Sequence, residues 1–187
     1  AAAMAVRDGI SPREVGQRNI SELQQLLIRQ DCYLPWIRQE FSDLTSRAAL
    51  TASSGDPEPL RDGINRPVGA DDHTWKGSVG DSVEYTWESP VMVSEATLIL
   101  DSALHRNAAM SFHQRDEQLR RPPEELVRDL RLEVRTTGGE WRIAREVEGN
   151  HHRLVRVPVG ESVTGVRAVF ESTWGSETVR AFAFYLD

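Results

Sequence analysis

The hydrophobic pattern of this 187-residue chain changes period near residue 45, and that change limits the possible folds more than any other feature. Residues 83–88 alternate as Val-Glu-Tyr-Thr-Trp-Glu, and residues 130–135 alternate as Leu-Arg-Leu-Glu-Val-Arg. A period of two places successive side chains on opposite faces of a strand. Each segment therefore predicts a strand with one buried face and one face in water.

More strand-like segments follow the same rule, and turn residues such as Gly138-Gly139 and Gly149-Asn150 separate them. These segments are 96–101, 141–148, 154–159, 163–171 and 179–186. Roughly eight strands without long intervening helices predict a mainly β fold, an antiparallel two-sheet jelly-roll sandwich. Residues 181–186 are apolar on both faces, so we expect the last strand to lie centrally.

The first 42 residues follow a helical pattern instead. Ser11-Pro12-Arg13-Glu14 has the sequence of a capping box with proline in the first turn, and Gly9 is suited to end the preceding helix. Leu23, Leu26 and Leu27 form the stripe of a helix that buries one face. We predict two regions, a helical segment over 1–42 and a β-sandwich domain over 43–187.

Composition excludes several classes of function. The formal net charge is −7, and the arginines are scattered among acidic residues, which argues against a nucleic-acid partner. No apolar run approaches the roughly 20 residues that cross a bilayer, so we expect no membrane span. The chain has one cysteine, Cys32, which excludes an internal disulfide and a multi-cysteine metal site. The sequence leaves the compartment open.

The order of these pieces resembles the discoidin-like, galactose-binding-like jelly roll at the C terminus of some bacterial FAD-dependent oxidoreductases. The residues that carry the resemblance are TASSGDPEPLRDGINRPVGADDHTW at 51–75, LILDSALHR at 98–106, the hairpin sequence at 127–157 and VRAFAFYLD at 179–187. The lead-in, AAAMAVRDGISPREV with ISELQQLLIRQDCYLP after it, is similar to the closing helices of the FAD-binding part of the same flavoproteins.

The resemblance implies a full-length flavoprotein in which an FAD-binding domain precedes this chain in the same polypeptide. A dinucleotide requires a glycine-rich loop between a strand and a helix, and the sequence contains no such segment. We therefore expect no cofactor in this chain, no catalytic residues and no enzymatic activity of its own, with FAD bound by the upstream domain.

The resemblance also places a loop that begins at Asp62-Gly63 and closes on Trp75 at one end of the sandwich. In related modules this loop helps to hold a structural calcium ion, for which Asp62 and Thr74 are the matching residues here. Calcium takes about six to eight oxygen ligands. The family's acidic residue in the last strand is replaced by Ala183, so the implied ligand set lacks a carboxylate.

The same end of the fold is a candidate for glycan binding, in which an aromatic ring stacks on a sugar and polar groups bind its hydroxyls. The candidate ligand-binding residues are Asp62, Asn65, Arg66, His73, Trp75, His105 and Arg106. The alternative is that Trp75 packs in the core while the polar residues satisfy the backbone of a long turn.

The sequence thus favours a non-catalytic accessory domain that binds carbohydrate or packs against the catalytic part of a flavoenzyme. One alternative is a purely structural or oligomerisation module. Another is an autonomous carbohydrate-active enzyme, which would need two carboxylates about 5–10 Å apart in one cleft. No pair of acidic residues in the sequence is indicated for that role.

Overall fold

A computed structural model describes residues 1–103 and 121–187 of the chain. The chain divides into two compact units, Ala1–Glu40 and Phe41–Asp187. The division falls after residue 40, two residues before the boundary expected from the sequence. His105 and Arg106, two of the candidate ligand-binding residues, lie outside the described residues.

The unit Ala1–Glu40 contains α1 (Ala2–Asp8), α2 (Pro12–Arg18) and α3 (Ile20–Ile28). The capping box forms as the sequence predicts, because the Glu14 amide donates to the Ser11 hydroxyl and the Ser11 amide donates to the Glu14 carboxylate. Gly9 takes a left-handed conformation, with φ of 64°, and ends α1. Leu23 packs against a small cluster of buried residues, which are Met4, Ala5 and Val15.

The unit Phe41–Asp187 is called the sandwich unit here, and its described residues form strands, one short α-helix and one 3₁₀ turn. The helix is α4 (Asp43–Arg47), and the 3₁₀ turn spans Glu58–Arg61. Within the described part of the chain the strands are β1 (Ala49–Ala52), β2 (Trp75–Ser78), β3 (Ser82–Leu100), β4 (Val127–Arg135), β5 (Trp141–Val147), β6 (Leu154–Thr173) and β7 (Thr178–Leu186). None of the described helices has the length and apolar character needed to cross a membrane.

Two long strands, β3 and β6, each contribute to both sheets of the sandwich. Residues 82–86 of β3 pair with β1 and with the second half of β6, which gives one sheet the order β1-β3-β6-β4-β5. Residues 96–100 of β3 pair with β7, and residues 95–99 pair with the first half of β6, which gives the other sheet the order β6-β3-β7-β2. All of these pairings are antiparallel, so the two-sheet sandwich predicted from the sequence is confirmed.

The strand boundaries differ from the prediction, because two pairs of predicted strands are each one long bent strand, and because β1 and β2 were not predicted. The segments 83–88 and 96–101 belong to the single strand β3, and 154–159 and 163–171 belong to β6. The register between β3 and β6 shifts between Thr86 and Val91, and Gly160 has φ of 68°. Strand pairing resumes beyond these irregularities, so the chain passes from one sheet to the other without a separate loop.

One apolar core fills the space between the sheets. The alternation predicted for β4 is observed, since Leu130, Leu132 and Val134 are all buried there. The Tyr85 hydroxyl donates to the carbonyl oxygen of Phe184, 2.8 Å away, and this bond satisfies the polar end of a buried side chain. Strand β7 lies between β3 and β2, as expected from its two apolar faces.

The bends in β3 and β6 bring both ends of each strand to the same end of the sandwich. Strands β4 and β7 begin there and β5 ends there, as the pairing of Val127 with Thr173 and of Leu100 with Ala181 shows. We call this the open end. The connections between strands at this end carry most of the polar residues discussed below.

Candidate functional site

The long loop after Asp62 covers a second apolar cluster in the β6-β3-β7-β2 sheet. That cluster consists of Ile99, Phe182, Ala183 and Tyr185, with Phe41 and Leu154 packed against it. The Tyr185 hydroxyl donates to the side-chain carbonyl of Asn65 at 2.9 Å, and the Arg153 guanidinium donates to the Asn65 backbone oxygen. Asn65 is only 7% exposed. Asn65 holds the loop on the sheet. Because it is buried, a ligand cannot reach its side chain as the sequence predicted.

Trp75, the predicted sugar platform, is fully buried. Its ring stacks on Phe170 with centroids 5.2 Å apart, and its Nε1 donates to the carbonyl oxygen of Ser54 at 2.8 Å. Gly77 makes room for it, because a Cβ at that position would lie 2.5 Å from the indole. The prediction that Trp75 stacks on a ligand is therefore wrong, and the alternative of core packing is what the structure shows.

Asp62, Arg66 and His73 remain at least partly accessible. Asp62 Oδ2 lies 2.6 Å from His73 Nδ1, and Asp62 Oδ1 accepts a hydrogen bond from the Ile64 amide. The side chains of His73 and Asp62 are 16% and 24% exposed. His73 also has a positive φ of 46°, which costs energy for a residue with a Cβ. These three residues are the part of the predicted loop site that a ligand can still reach.

The implied calcium site does not fit the residues that are present. The Thr74 hydroxyl donates to the backbone oxygen of Ala181 at 3.0 Å. Both carboxylate oxygens of Asp62 already have partners, since Oδ1 accepts from the Ile64 amide and Oδ2 is hydrogen-bonded to His73 Nδ1. Ala183 is buried and offers no carboxylate. Across residues 1–103 and 121–187, no group of three or more His, Cys, Asp or Glu side chains is arranged to hold a metal ion.

A polar groove lies at the open end, between the start of β4, the β5–β6 connection and the end of β6. Its volume is about 580 Å³. It is lined by Arg128, Asp129, Glu148, Gly149, Glu171 and Ser172, and we call it the strand-end groove. Sequence reasoning did not select these residues, although the Gly149-Asn150 turn was predicted.

Hydrogen bonds fix the carboxylate of Asp129 in the wall of this groove. The Ser172 hydroxyl donates to Asp129 Oδ2 at 2.5 Å, and the Gly149 amide donates to Oδ1 at 2.8 Å. These bonds, together with the charge of Arg128, lower the pKa of Asp129. A general acid of a glycosidase needs a raised pKa, so Asp129 is suited to binding rather than to proton donation.

An indole adjoins the groove. Trp174 is half-buried at the turn between β6 and β7, and its Nε1 donates to the Asn150 carbonyl oxygen at 2.6 Å. The guanidinium of Arg128 lies 5.3 Å from the centroid of the Trp174 ring. His151 and His152 are exposed in the neighbouring β5–β6 connection, where their rings contact each other. An aromatic ring, a guanidinium, carboxylates and a hydroxyl therefore converge at one end of the fold.

No protein-family model matches the chain, and no curated protein matches it in sequence. Solved structures do resemble it. The family 32 carbohydrate-binding module of EndoD from Streptococcus pneumoniae has a TM-score of 0.56 at 17% identity, over 78% of this chain and 99% of that one. At this identity the likeness shows a shared fold, a jelly-roll sandwich.

Two structures from Clostridium perfringens are similar in the same way. CpGH89CBM32-5, solved in complex with GalNAc-β-1,3-galactose, has a TM-score of 0.54 at 13% identity, over 76% of this chain and 96% of that one. The family 32 module of NanJ, solved in complex with galactose, has a TM-score of 0.53 at 8% identity, over 76% and 95%.

Proposed function

We propose that the sandwich unit is a non-catalytic accessory domain that binds carbohydrate in the strand-end groove. The observation that carries the proposal is the half-buried indole of Trp174 beside Arg128, at the edge of a groove that also holds Asp129 and Ser172. Sugar rings present an apolar face and several hydroxyls, and this combination of groups complements both. The fold shared with carbohydrate-binding modules supports the same function.

The groove is open and shallow, so we expect weak binding. Dissociation constants in the high micromolar to millimolar range correspond to roughly −4 to −6 kcal/mol. Affinity of this size is expected when a few hydrogen bonds and one aromatic contact must offset the loss of ligand freedom.

The test is a calorimetric titration of the purified chain with galactose, GalNAc-β-1,3-galactose and a wider glycan panel. Trp174→Ala and Arg128→Gln should each weaken binding of any active glycan by about tenfold or more. Glu88→Gln, at the bend of β3 away from the groove, is the control and should leave affinity unchanged. Binding that both groove variants leave intact would contradict the assignment.

The predicted loop residues provide a second possible location for the same function. His73→Ala and Arg66→Ala test it directly, because Asp62, Arg66 and His73 keep part of their surface exposed. If these two variants lose glycan affinity and the groove variants do not, the ligand binds at the loop.

A structural or oligomerisation role is the alternative, and the burial of Trp75 favours it, because burial removes the predicted sugar platform. This role requires self-association without glycan affinity. Sedimentation of the purified chain over a range of concentrations distinguishes the two functions. A stable oligomer that binds no member of the glycan panel would support the alternative.

We further propose that the chain is part of an FAD-dependent oxidoreductase, in which an FAD-binding domain precedes it. The support is the order of sequence segments described above, from AAAMAVRDGISPREV to VRAFAFYLD. The chain alone should neither bind FAD nor turn over a redox substrate, because its sequence contains no glycine-rich phosphate-binding segment of the kind that joins a strand to a helix. Flavin fluorescence on adding FAD tests this, and tight stoichiometric binding would refute it.

A further inference from the structure

We infer that two copies of the chain associate through the unit Ala1–Glu40, called the helical unit here, with the exposed indole of Trp36 at the centre of the contact. The contact surface belongs to the unit that the proposed function does not use. A second copy of this chain is the partner that the charge distribution favours.

Trp36 is the most exposed large apolar side chain in the part of the chain that the structure describes. It is 99% exposed, and its backbone has a positive φ of 69°. A positive φ costs energy in a residue as bulky as tryptophan and persists only where other contacts hold it. Because the indole is exposed, it makes almost no packing contact within its own chain. A contact with another molecule would bury the indole and offset this cost.

The side-chain amide of Gln25 fixes the segment that follows Trp36. Its Nε2 donates to the Arg38 carbonyl oxygen at 2.9 Å, and its Oε1 accepts a hydrogen bond from the Glu40 amide, also at 2.9 Å. A side chain presented by a fixed segment loses little conformational freedom when it binds. More of its contact energy therefore contributes to affinity.

Two further exposed apolar side chains lie near the same end of α3. Leu26 is 41% exposed in the last turn of this helix, and Tyr33 is 48% exposed. The Cys32 amide donates to a carbonyl oxygen in that last turn at 3.0 Å, which keeps the neighbouring Tyr33 near the helix end. Gln25 ties the segment after Trp36 to the same turn. We call Leu26, Tyr33 and Trp36 the Trp36 surface.

The helical unit has a small core of its own. Its buried cluster consists of Met4, Ala5 and Val15, with Ile10 and Leu23 packed against it. A unit of about 40 residues rarely gains enough stability from its own core. Burial of the Trp36 surface against a partner would add to the apolar area that this unit removes from water.

Net charge favours a second copy as that partner. The helical unit contains equal numbers of basic and acidic residues, so residues 41–187 carry the whole formal net charge of −7. The basic residues of the helical unit are Arg7, Arg13, Arg18, Arg29 and Arg38, and the acidic ones are Asp8, Glu14, Glu22, Asp31 and Glu40. When two copies approach, the sandwich units repel each other and the helical units do not.

The charges close to Trp36 in sequence are also balanced. Arg29 and Arg38 are positive, and Asp31 and Glu40 are negative. In a contact with two-fold symmetry both copies present the same residues, so a balanced set allows opposite charges to face each other. A membrane surface is a poorer partner, because anionic lipids attract clusters of basic residues.

Sedimentation velocity of the purified chain over a range of concentrations tests the dimer. We expect a reversible monomer–dimer equilibrium with a dissociation constant in the micromolar range. Trp36→Ser should weaken association about tenfold or more. Met92→Ser is the matched control, since Met92 is 63% exposed on the sandwich unit, and it should leave association unchanged. Circular dichroism checks that both variants remain folded.

Two results of this experiment overturn the inference. One is a chain that remains monomeric at about 0.5 mM, and the other is a dimer that Trp36→Ser leaves intact. If the monomer instead sediments with vesicles containing phosphatidylserine and Trp36→Ser abolishes this, the surface binds a membrane and the inference fails. These results do not depend on glycan affinity, so such a failure leaves the proposed function in place.

Cys32 provides a second measurement, because it is the one cysteine of the chain and is exposed close to Trp36 in sequence. A nitroxide attached to its sulfur places one spin label beside the Trp36 surface in each copy. We expect dipolar coupling between the labels of two copies, and Trp36→Ser should abolish it. Loss of the dimer on labelling would also place Cys32 in the contact. A dimer without coupling between its labels would place the contact elsewhere and overturn the inference.

Discussion

Replacing Trp75 with alanine should destabilise the sandwich unit strongly and leave the binding surface intact. The side chain is fully buried, and emptying such a site costs about 3–5 kcal/mol. The Ser54 carbonyl oxygen also loses the donor 2.8 Å away, which adds about 1 kcal/mol. We expect Trp75→Ala to lower the free energy of unfolding by about 4–6 kcal/mol, a large share of the 5–15 kcal/mol typical of a domain.

Trp174→Ala is the matched comparison. Trp174 is half-buried and also donates one hydrogen bond from Nε1, so its loss should cost only about 1–2 kcal/mol. Urea unfolding followed by far-ultraviolet circular dichroism measures both variants. A cost below about 1 kcal/mol for Trp75→Ala, or one no larger than that of Trp174→Ala, would refute the packing argument.

Gly77 allows a stricter test of the same packing. In the wild-type background Gly77→Ala should cost about 1–3 kcal/mol, because the new Cβ would lie 2.5 Å from the Trp75 ring. In the Trp75→Ala background the ring is absent and the penalty should fall to the smaller cost of the Asp81 carboxylate oxygen, which would lie 3.0 Å from the same Cβ. A double-mutant cycle should therefore give a coupling energy of at least about 1 kcal/mol, and additive effects would contradict the close approach.

Two further predictions concern buried polar groups. Tyr185→Phe should destabilise the protein by about 1–2 kcal/mol in urea titrations, because the buried Asn65 carbonyl loses its donor; an unchanged midpoint would contradict that role. Burial alone would raise the pKa of Glu133, but hydrogen bonds from Arg131 and Arg167 lower it overall. The ionised form therefore stabilises the fold above the unfolded pKa of about 4.3, and this contribution is lost as the pH falls from there through the lower folded pKa. The acid-induced loss of stability should be smaller in Glu133→Gln, and identical pH profiles would contradict the assignment.

The class of fold was predictable because alternation is a local signal that burial of one face enforces. Strand β4 shows this, since Leu130, Leu132 and Val134 all face the core. The continuity of β3 and β6 was not predictable, because Pro90 and Gly160 are turn-forming residues. The two strands continue beyond those residues because distant parts of the chain pair there, as Val91 does with Val163.

The prediction from alternation was wrong for one charged residue of β4. Glu133 was expected to face water, yet it is only 7% exposed. Arg131 on the same strand and Arg167 on β6 approach it from either side, and the guanidinium of Arg167 also lies over the Trp141 ring. These partners come together only when β4, β5 and β6 pair.

The candidate site was harder to predict, because turn chemistry does not reveal which side chains are buried. The 62–75 loop contains residues that suit both a ligand site and a long turn, and Phe170 and Tyr185, far away in sequence, bury its Trp75 and Asn65. The strand-end groove likewise depends on residues distant in sequence. Asp129 and Ser172 are 43 positions apart and meet only because β4 and β6 pair.

The most direct test of carbohydrate binding at the strand-end groove is a titration of the isotope-labelled chain with galactose and GalNAc-β-1,3-galactose, followed by amide chemical shifts. We predict saturable shifts at Arg128, Asp129, Gly149 and Trp174, with none at the bend of β3 around Glu88. Shifts confined to Asp62, Arg66 and His73 would move the site to the predicted loop. No saturable shift with any member of a broad glycan panel would contradict carbohydrate binding itself.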